Sequence, residues 1–283
     1  MSAPLPAGEL LARLEEARGP VAGLRAVGST GPGRVFALEL GGEPAFLKEH
    51  GQERKFHQER RAYLETLPGL GLRTPELLWS DAAGRALLLS VLEGDGFQEV
   101  ERPRAEEHDL HRQAGAFLRV LHAAEVRDED PLPLPEAAAR RLEAWLPRAG
   151  LTGDEVRLAR AAVGEGEPLR GARRVPCHRD FQPRNWLAAG GPEGPRLGVL
   201  DFEHARPDHP LFDLVKLVHG AWRGRHDRRA AFLEGYGSTP DERELRVVSA
   251  LHGVATAAWG REHGDPAYRA EGRRVLAELA AGR

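Results

Sequence analysis

Lysine is nearly absent from this chain. Lys48, Lys55 and Lys216 are three of 40 cationic side chains, and the rest are arginine. In such a background a lysine marks a place where a compact ammonium serves better than a planar guanidinium. That reading is applied to Lys48, while Lys55 and Lys216 are taken as chance placements. Cysteine is almost missing too. Cys177 stands alone, which excludes an internal disulfide framework and fits a reducing, cytoplasmic setting. No run of about 18 apolar residues occurs, so no membrane-spanning helix is expected. The opening MSAPLPAGELLARLEEARG lacks the basic stretch and apolar run of a secretory signal. A net charge of -3 gives no broad positive field, so nucleic acid is not expected as a partner.

What is present is an ordinary globular mixture, 41% apolar and 29% charged over 283 residues, long enough for two lobes that share a cleft. A short helix is expected over 9–17, then strands at 21–27, 35–40 and 45–49, with GGEP at 41–44 as a hairpin turn. Residues 52–67 place Phe56, Tyr63, Leu64 and Leu67 at helical spacing, and Pro68 and Gly69 stop the helix. Two more strands are expected at 77–79 and 86–91. This first lobe, 1–93, is mainly sheet. The second, 94–283, is mainly helical, with helices expected at 108–124, 136–147, 152–163, 208–222, 227–235, 240–262 and 265–281. A proline-rich connector spans 125–136. A small β island is expected from 174–177, 186–188 and 197–200.

The chemistry gathers in the island. HRDFQPRN, residues 178–185, is an irregular loop, and Asp201 stands where the strand LGVL runs out. A hairpin between them returns Asp201 toward Asn185 and Asp180. An amide oxygen and a carboxylate are the hard oxygen ligands Mg²⁺ favours. A further carboxylate can orient a hydroxyl and accept its proton, which completes the parts phosphoryl transfer requires. A zinc site on His178, Asp180, His204 and His209 is the rival, but it lacks a compact ligand pair and leaves Asn185 without a role.

HRDFQPRN resembles the H-R-D-x-x-x-x-N loop of protein kinases and the H-G-D-x-x-x-x-N loop of the aminoglycoside phosphotransferase and choline-kinase-like family. LDFEHARPDHPLFDLVKL is similar to the latter's I-D-x-x-x-A-x-x-G-x-P-x-x-D-L pattern, with His209 and Arg179 where glycine is usual. The resemblance covers about residues 21–223. It implies an α+β, bilobal, protein-kinase-like fold: a small antiparallel-sheet lobe with one main helix, and a larger helical lobe. It implies Asp180 as catalytic base, Asn185 and Asp201 as Mg²⁺ ligands, His178 as a brace and Asp213 as a structural acid. It implies Lys48 as the grip on the phosphates, held by Glu59, with Glu53 as runner-up. Gly28–Gly33 would lie over the phosphates, with hydroxyl contacts from Ser29 and Thr30. Ser90, Val91 and Leu92 would meet the adenine ring.

The implied activity is transfer of the γ-phosphate of ATP or GTP to the hydroxyl of a small molecule. Antibiotic modification, hence resistance, is one reading. A metabolic kinase for a sugar, amino sugar, choline or nucleoside is the alternative. A protein kinase is disfavoured because the stretch after Asp201 is short and lacks A-P-E. A non-catalytic nucleotide-binding module would have no use for a base. Glu203, Asp208, Glu262 and Asp265 are read as solvated surface, and Trp222, Trp259 and Tyr268 as core, over roles in an acceptor site.

Overall fold

The computed structural model describes residues 7–30, 33–126, 130–164, 167–191 and 194–282. The first lobe is built on a five-stranded antiparallel sheet. Its strands are β1 (Val21–Thr30), β2 (Gly33–Leu40), β3 (Glu43–Glu49), β4 (Leu77–Asp81) and β5 (Ala86–Ser90), in the order β1-β2-β3-β5-β4. Helix α1 (Ala7–Arg18) lays Leu10 and Leu14 on one face, against Leu38, Leu47, Ala86 and Leu88. The other face carries Leu87 and Leu89, and Phe56 of α2 (Glu53–Arg61) joins the same core. Alternation along β3 decides which way Lys48 points. Leu47 pairs with Leu88 and faces α1, whereas Lys48 pairs with Leu87 and faces α2.

The expected helix over 52–67 closes with a wider turn. After Arg61 the chain continues through a π turn, Ala62–Thr66. A second π turn, Leu217–Ala221, follows α6 (Leu211–Lys216), so Lys216 ends a regular helix. Such turns often accompany functional sites because they shift the register of the side chains beyond them.

The second lobe holds α3 (Arg104–Ala123), α4 (Leu134–Ala149), α5 (Gly153–Gly164), α7 (His226–Tyr236), α8 (Glu242–Glu262) and α9 (Pro266–Ala280). Helix α3 starts earlier than the expected residue 108. Helix α4 begins inside the expected connector, where Pro135 sits in the first turn and costs no intrahelical bond. Helices α3 and α7 cross at Gly115 and Gly235. A Cβ on Gly115 would lie 2.0 Å from Phe232 O, and one on Gly235 would lie 1.9 Å from Arg112 O. Neither backbone can yield locally. Gly115→Ala is therefore expected to destabilise the protein by about 3 kcal/mol, read as a lower urea midpoint at unchanged slope.

The β island differs from expectation. Strand β8 (Trp186–Ala189) pairs with β9 (Arg196–Val199) as expected, and also with the short β6 (Asp95–Gly96). Strand β7 (Val175–Cys177) leaves that group and pairs with β10 (Arg206–Asp208). Residues 206–210 cannot start a helix at 208, because Pro207 fixes an extended backbone and Pro210 must precede the first turn. The β7–β10 pair clamps the loop at 178–185 from behind.

Candidate active site

The loop after β7 is held by its backbone. The carboxylate of Asp213, fully buried on α6, accepts the N–H of His178 at 2.9 Å and that of Arg179. His122 Nε2 lies 3.0 Å from the same carboxylate. These bonds hold Arg179 at φ 68°, a left-handed conformation that costs a non-glycine residue roughly 1–2 kcal/mol. The turn aims Asp180 inward and sends the Arg179 side chain away, to Asp208 at 3.3 Å and over the Phe212 ring. Arg141 and Arg206 also converge on Asp208, so Arg179 belongs to a structural cluster and does not reshape the acceptor side. His178 carries its ring hydrogen on Nε2, which donates to Leu200 O at 2.9 Å. Its Nδ1 accepts the N–H of Asp180.

Asp180 is 1% exposed, and both of its carboxylate oxygens are occupied. Oδ1 accepts from Gln182 Nε2 at 2.6 Å and from Lys216 Nζ. Oδ2 accepts from Arg184 at 2.8 Å and from Asn185 Nδ2 at 3.0 Å. Burial pushes this carboxyl up, but Lys216 and Arg184 outweigh it and hold it well below the usual range. Lys216 and Arg184 are absent from the sequence expectation. The scarcity of lysine was the available signal, and it applies to all three lysines.

Across the cleft, Lys48 Nζ lies 2.7 Å from Glu59, 2.6 Å from Asp201 and 3.4 Å from Glu203. Glu59 is fully buried, accepts the N–H of Phe202 at 3.2 Å and meets His50 at 2.7 Å. Glu53 is exposed, and its described ion pair is with His57 on its own helix. Lys55 reaches Glu203 at 2.5 Å, so the chance reading fails for this lysine as well. Burial opposes every charge here. The three carboxylates nevertheless raise the pKa of Lys48, and Lys48 lowers that of Glu59 to about 2.

Asp201 sits at φ 66°, also left-handed, where the chain leaves β9. The N–H of Leu200 donates to Asn185 O at 2.9 Å, which ties the two expected metal ligands together. Asn185 commits its amide N–H groups to Asp180, and its Oδ1 has no hydrogen bond among the described residues. Asp201 Oδ2 likewise has none. Burial, Glu59 and Glu203 push the Asp201 carboxyl up against the pull of Lys48. An electron-rich pair of free oxygens beside crowded carboxylates fits a hard divalent cation.

Other expected residues are placed less centrally. Gly28 pairs with Val35 at the end of the β1–β2 hairpin. The Ser29 and Thr30 side chains, and residues 31–32, lie outside the described residues. The Ser90 N–H donates to Glu76 O and its Oγ accepts from Glu76 N–H, both at 2.9 Å, so Ser90 is turned toward the chain before β4. Val91 is exposed, and Leu92 packs over Gly198 of β9. The zinc set does not assemble, because His178 points at Leu200 O and His209 toward Glu244.

The acidic residues considered for the acceptor side are all engaged. Glu203 holds Lys55, Asp208 the arginine cluster, Glu262 Arg148 at 2.7 Å, and Asp265 caps α9. Trp222 is core, as expected. Trp259 and Tyr268 are 40% and 36% exposed, contrary to the core reading. Tyr268 Oη lies 3.3 Å from Arg184, which itself donates to Asp180.

A model of the phosphotransferase enzyme family matches residues 23–251, which include both halves of this cleft. The chain belongs to that family. The chain is 30% identical over 208 residues to the N-acetylmuramate/N-acetylglucosamine kinase of Caulobacter vibrioides. That match covers 65% of this chain and 56% of the relative, so the chain spans little more than half of the curated protein it matches. Among solved structures it is similar to aminoglycoside phosphotransferase APH(4)-Ia, with TM-score 0.76, 16% identity, and coverage of 98% of this chain and 100% of that one. A GDP and kanamycin complex of APH(2")-IIia gives TM-score 0.72 at 16% identity, covering 98% and 99%. These structural likenesses establish the α+β, kinase-like fold.

Proposed function

We propose that the protein is a small-molecule O-phosphotransferase. It moves the terminal phosphoryl group of ATP or GTP to a hydroxyl, with Asp180 as base. The observation that carries this reading is the meeting of two sets of groups in one cleft, Lys48–Glu59–Asp201 from one side and Asp180–Asn185 from the other. The division into a nucleotide-binding lobe over 1–93 and an acceptor-binding lobe over 94–283 is part of the same proposal. So is a cytoplasmic setting, where nucleoside triphosphates are plentiful.

In this mechanism Lys48, fixed by Glu59, holds the α and β phosphates. Val91 and Leu92 border the base of the nucleotide. Asn185 and Asp201 would hold Mg²⁺, which when bound supplies charge neutralisation across the phosphates. Asp180 orients the acceptor hydroxyl and takes its proton. A base held at low pKa is a weak proton acceptor, so its main contribution is orientation. Only residues 202–210 separate Asp201 from α6, too few to form a peptide-docking platform, which argues against a protein acceptor.

The electrostatics around Asp180 favour one acceptor class. Arg184 and Lys216 flank the base, while the nearby carboxylates are neutralised by arginine or lysine. A polycationic aminoglycoside would meet like charge. An N-acetylated amino sugar, neutral or acidic, would not, and Tyr268 offers it an exposed ring. The test is acceptor-dependent release of nucleoside diphosphate with Mg²⁺, using ATP and GTP. N-acetylglucosamine and N-acetylmuramate are expected to give kcat/KM at least about tenfold above kanamycin or hygromycin B. The reverse order would move the assignment to antibiotic modification.

A further inference from the structure

We infer that Lys216 is a catalytic cation. It is held on Asp180 until an acceptor hydroxyl takes its place, and it then meets the transferring phosphoryl group. The inference rests on the function proposed above and adds a residue to it. An acceptor hydroxyl must come within about 2.6–3.2 Å of one Asp180 oxygen. Gln182 and Lys216 hold Oδ1, and Arg184 and Asn185 hold Oδ2, so at least one donor has to leave.

The four donors are not equally free. Asn185 is buried and also donates to the Asp180 backbone oxygen at 2.8 Å. Arg184 has a second hold on Tyr268. Gln182 is only two residues from the base and carries no charge. Lys216 reaches Asp180 from α6, and among the described residues it has no second partner. Its side chain is 29% exposed, and its flexible stem carries a single compact charge.

Charge balance gives the destination. One carboxylate faces two cations, leaving a surplus positive charge beside the base. In the transfer step the acceptor oxygen stands about 3–3.5 Å from phosphorus and within hydrogen-bond reach of the base. The phosphoryl oxygens, where negative charge collects, then lie a few ångströms from the place Lys216 has left. The hydroxyl proton passes to Asp180 Oδ1. The acceptor oxygen bonds to phosphorus, and the bond from phosphorus to the diphosphate oxygen breaks, its electron pair leaving with the diphosphate. Lys216 stays protonated throughout.

The test compares wild type, Lys216→Met and Lys216→Arg by calorimetry in the presence of saturating N-acetylglucosamine, with a nucleoside diphosphate and a non-hydrolysable triphosphate analogue, and by turnover of N-acetylglucosamine. Lys216→Met is expected to lower kcat about 10²-fold. It should weaken the analogue while leaving diphosphate affinity unchanged. Lys216→Arg should recover about tenfold of the lost rate. A Lys216→Met enzyme with kcat within about threefold of wild type overturns the inference. So does equal weakening of both nucleotides with no rescue by arginine, the mark of a merely structural lysine. If Lys216→Met does not fold, the Lys216→Arg nucleotide comparison decides. Failure of wild type to turn over any acceptor sinks the proposed function, whereas an active wild type with an equally active Lys216→Met sinks this inference alone.

Discussion

Asp180→Asn is expected to lower kcat by about 10³-fold and to leave nucleotide affinity within about threefold. The substitution keeps the shape of the side chain and the hydrogen bond to one cation, but removes the charge that orients the acceptor. Nucleotide affinity survives because Lys48, Glu59 and Asp201 do not depend on Asp180 for their contacts. Arg184 and Lys216 lose their shared anion, so they repel one another and open the acceptor side. The KM for the acceptor is therefore expected to rise less than kcat falls. Steady-state kinetics with calorimetry on the same preparation separates the two effects. A loss confined to KM, with kcat preserved, would remove Asp180 from the role of base.

Glu59→Ala is expected to destabilise the fold by about 3 kcal/mol, because it removes one of three carboxylates around a buried ammonium and leaves the Phe202 N–H and His50 without their acceptor. Glu59 meets three groups at once, Lys48 and His50 at 2.7 Å and the N–H of Phe202 at 3.2 Å. Truncation strands the buried ammonium of Lys48 between Asp201 and Glu203, so nucleotide binding should fall with stability. Urea unfolding with and without nucleotide measures both. The pH dependence has a definite sign. The Glu59 carboxyl moves from 4.5 to about 2 on folding. Its stabilisation is complete above about pH 4.5 and disappears as the pH falls toward 2. Glu59→Gln should flatten that acid limb of the stability curve.

The loop at 178–185 was legible in the sequence because its parts lie close together. Asp180 and Asn185 are five residues apart, and one hairpin returns Asp201. Lys48 and Glu59 were legible through the resemblance, which places a lysine at the end of a strand and a glutamate on the helix that follows. The partners of Asp180 were not. Lys216 lies 36 residues further on, and its approach depends on how α6 packs against the loop, which no local pattern records. Three lysines in an arginine background pointed at all three contacts, and the chance reading of two of them discarded that signal. Asp208 reads as solvated surface but is buried, because its partners, Arg141, Arg179 and Arg206, come from distant segments. Trp259 looked like core because α8 is buried around most of its circumference, so its apolar spacing does not mark the exposed edge, and Tyr268 stands exposed in the first turn of α9. Strand β10 was hidden by its neighbours. Pro207 inside it, Pro210 after it and the helix just beyond drew the boundary three residues early.

The central claim is phosphoryl transfer to a small-molecule hydroxyl through Asp180. Phosphorus NMR of a reaction containing the protein, Mg²⁺, ATP or GTP and an N-acetylated amino sugar tests it most directly. The account predicts a new phosphomonoester resonance that grows in step with nucleoside diphosphate, and none above background with Asp180→Asn. Diphosphate with inorganic phosphate alone, or a phosphomonoester formed equally well by Asp180→Asn, would contradict it.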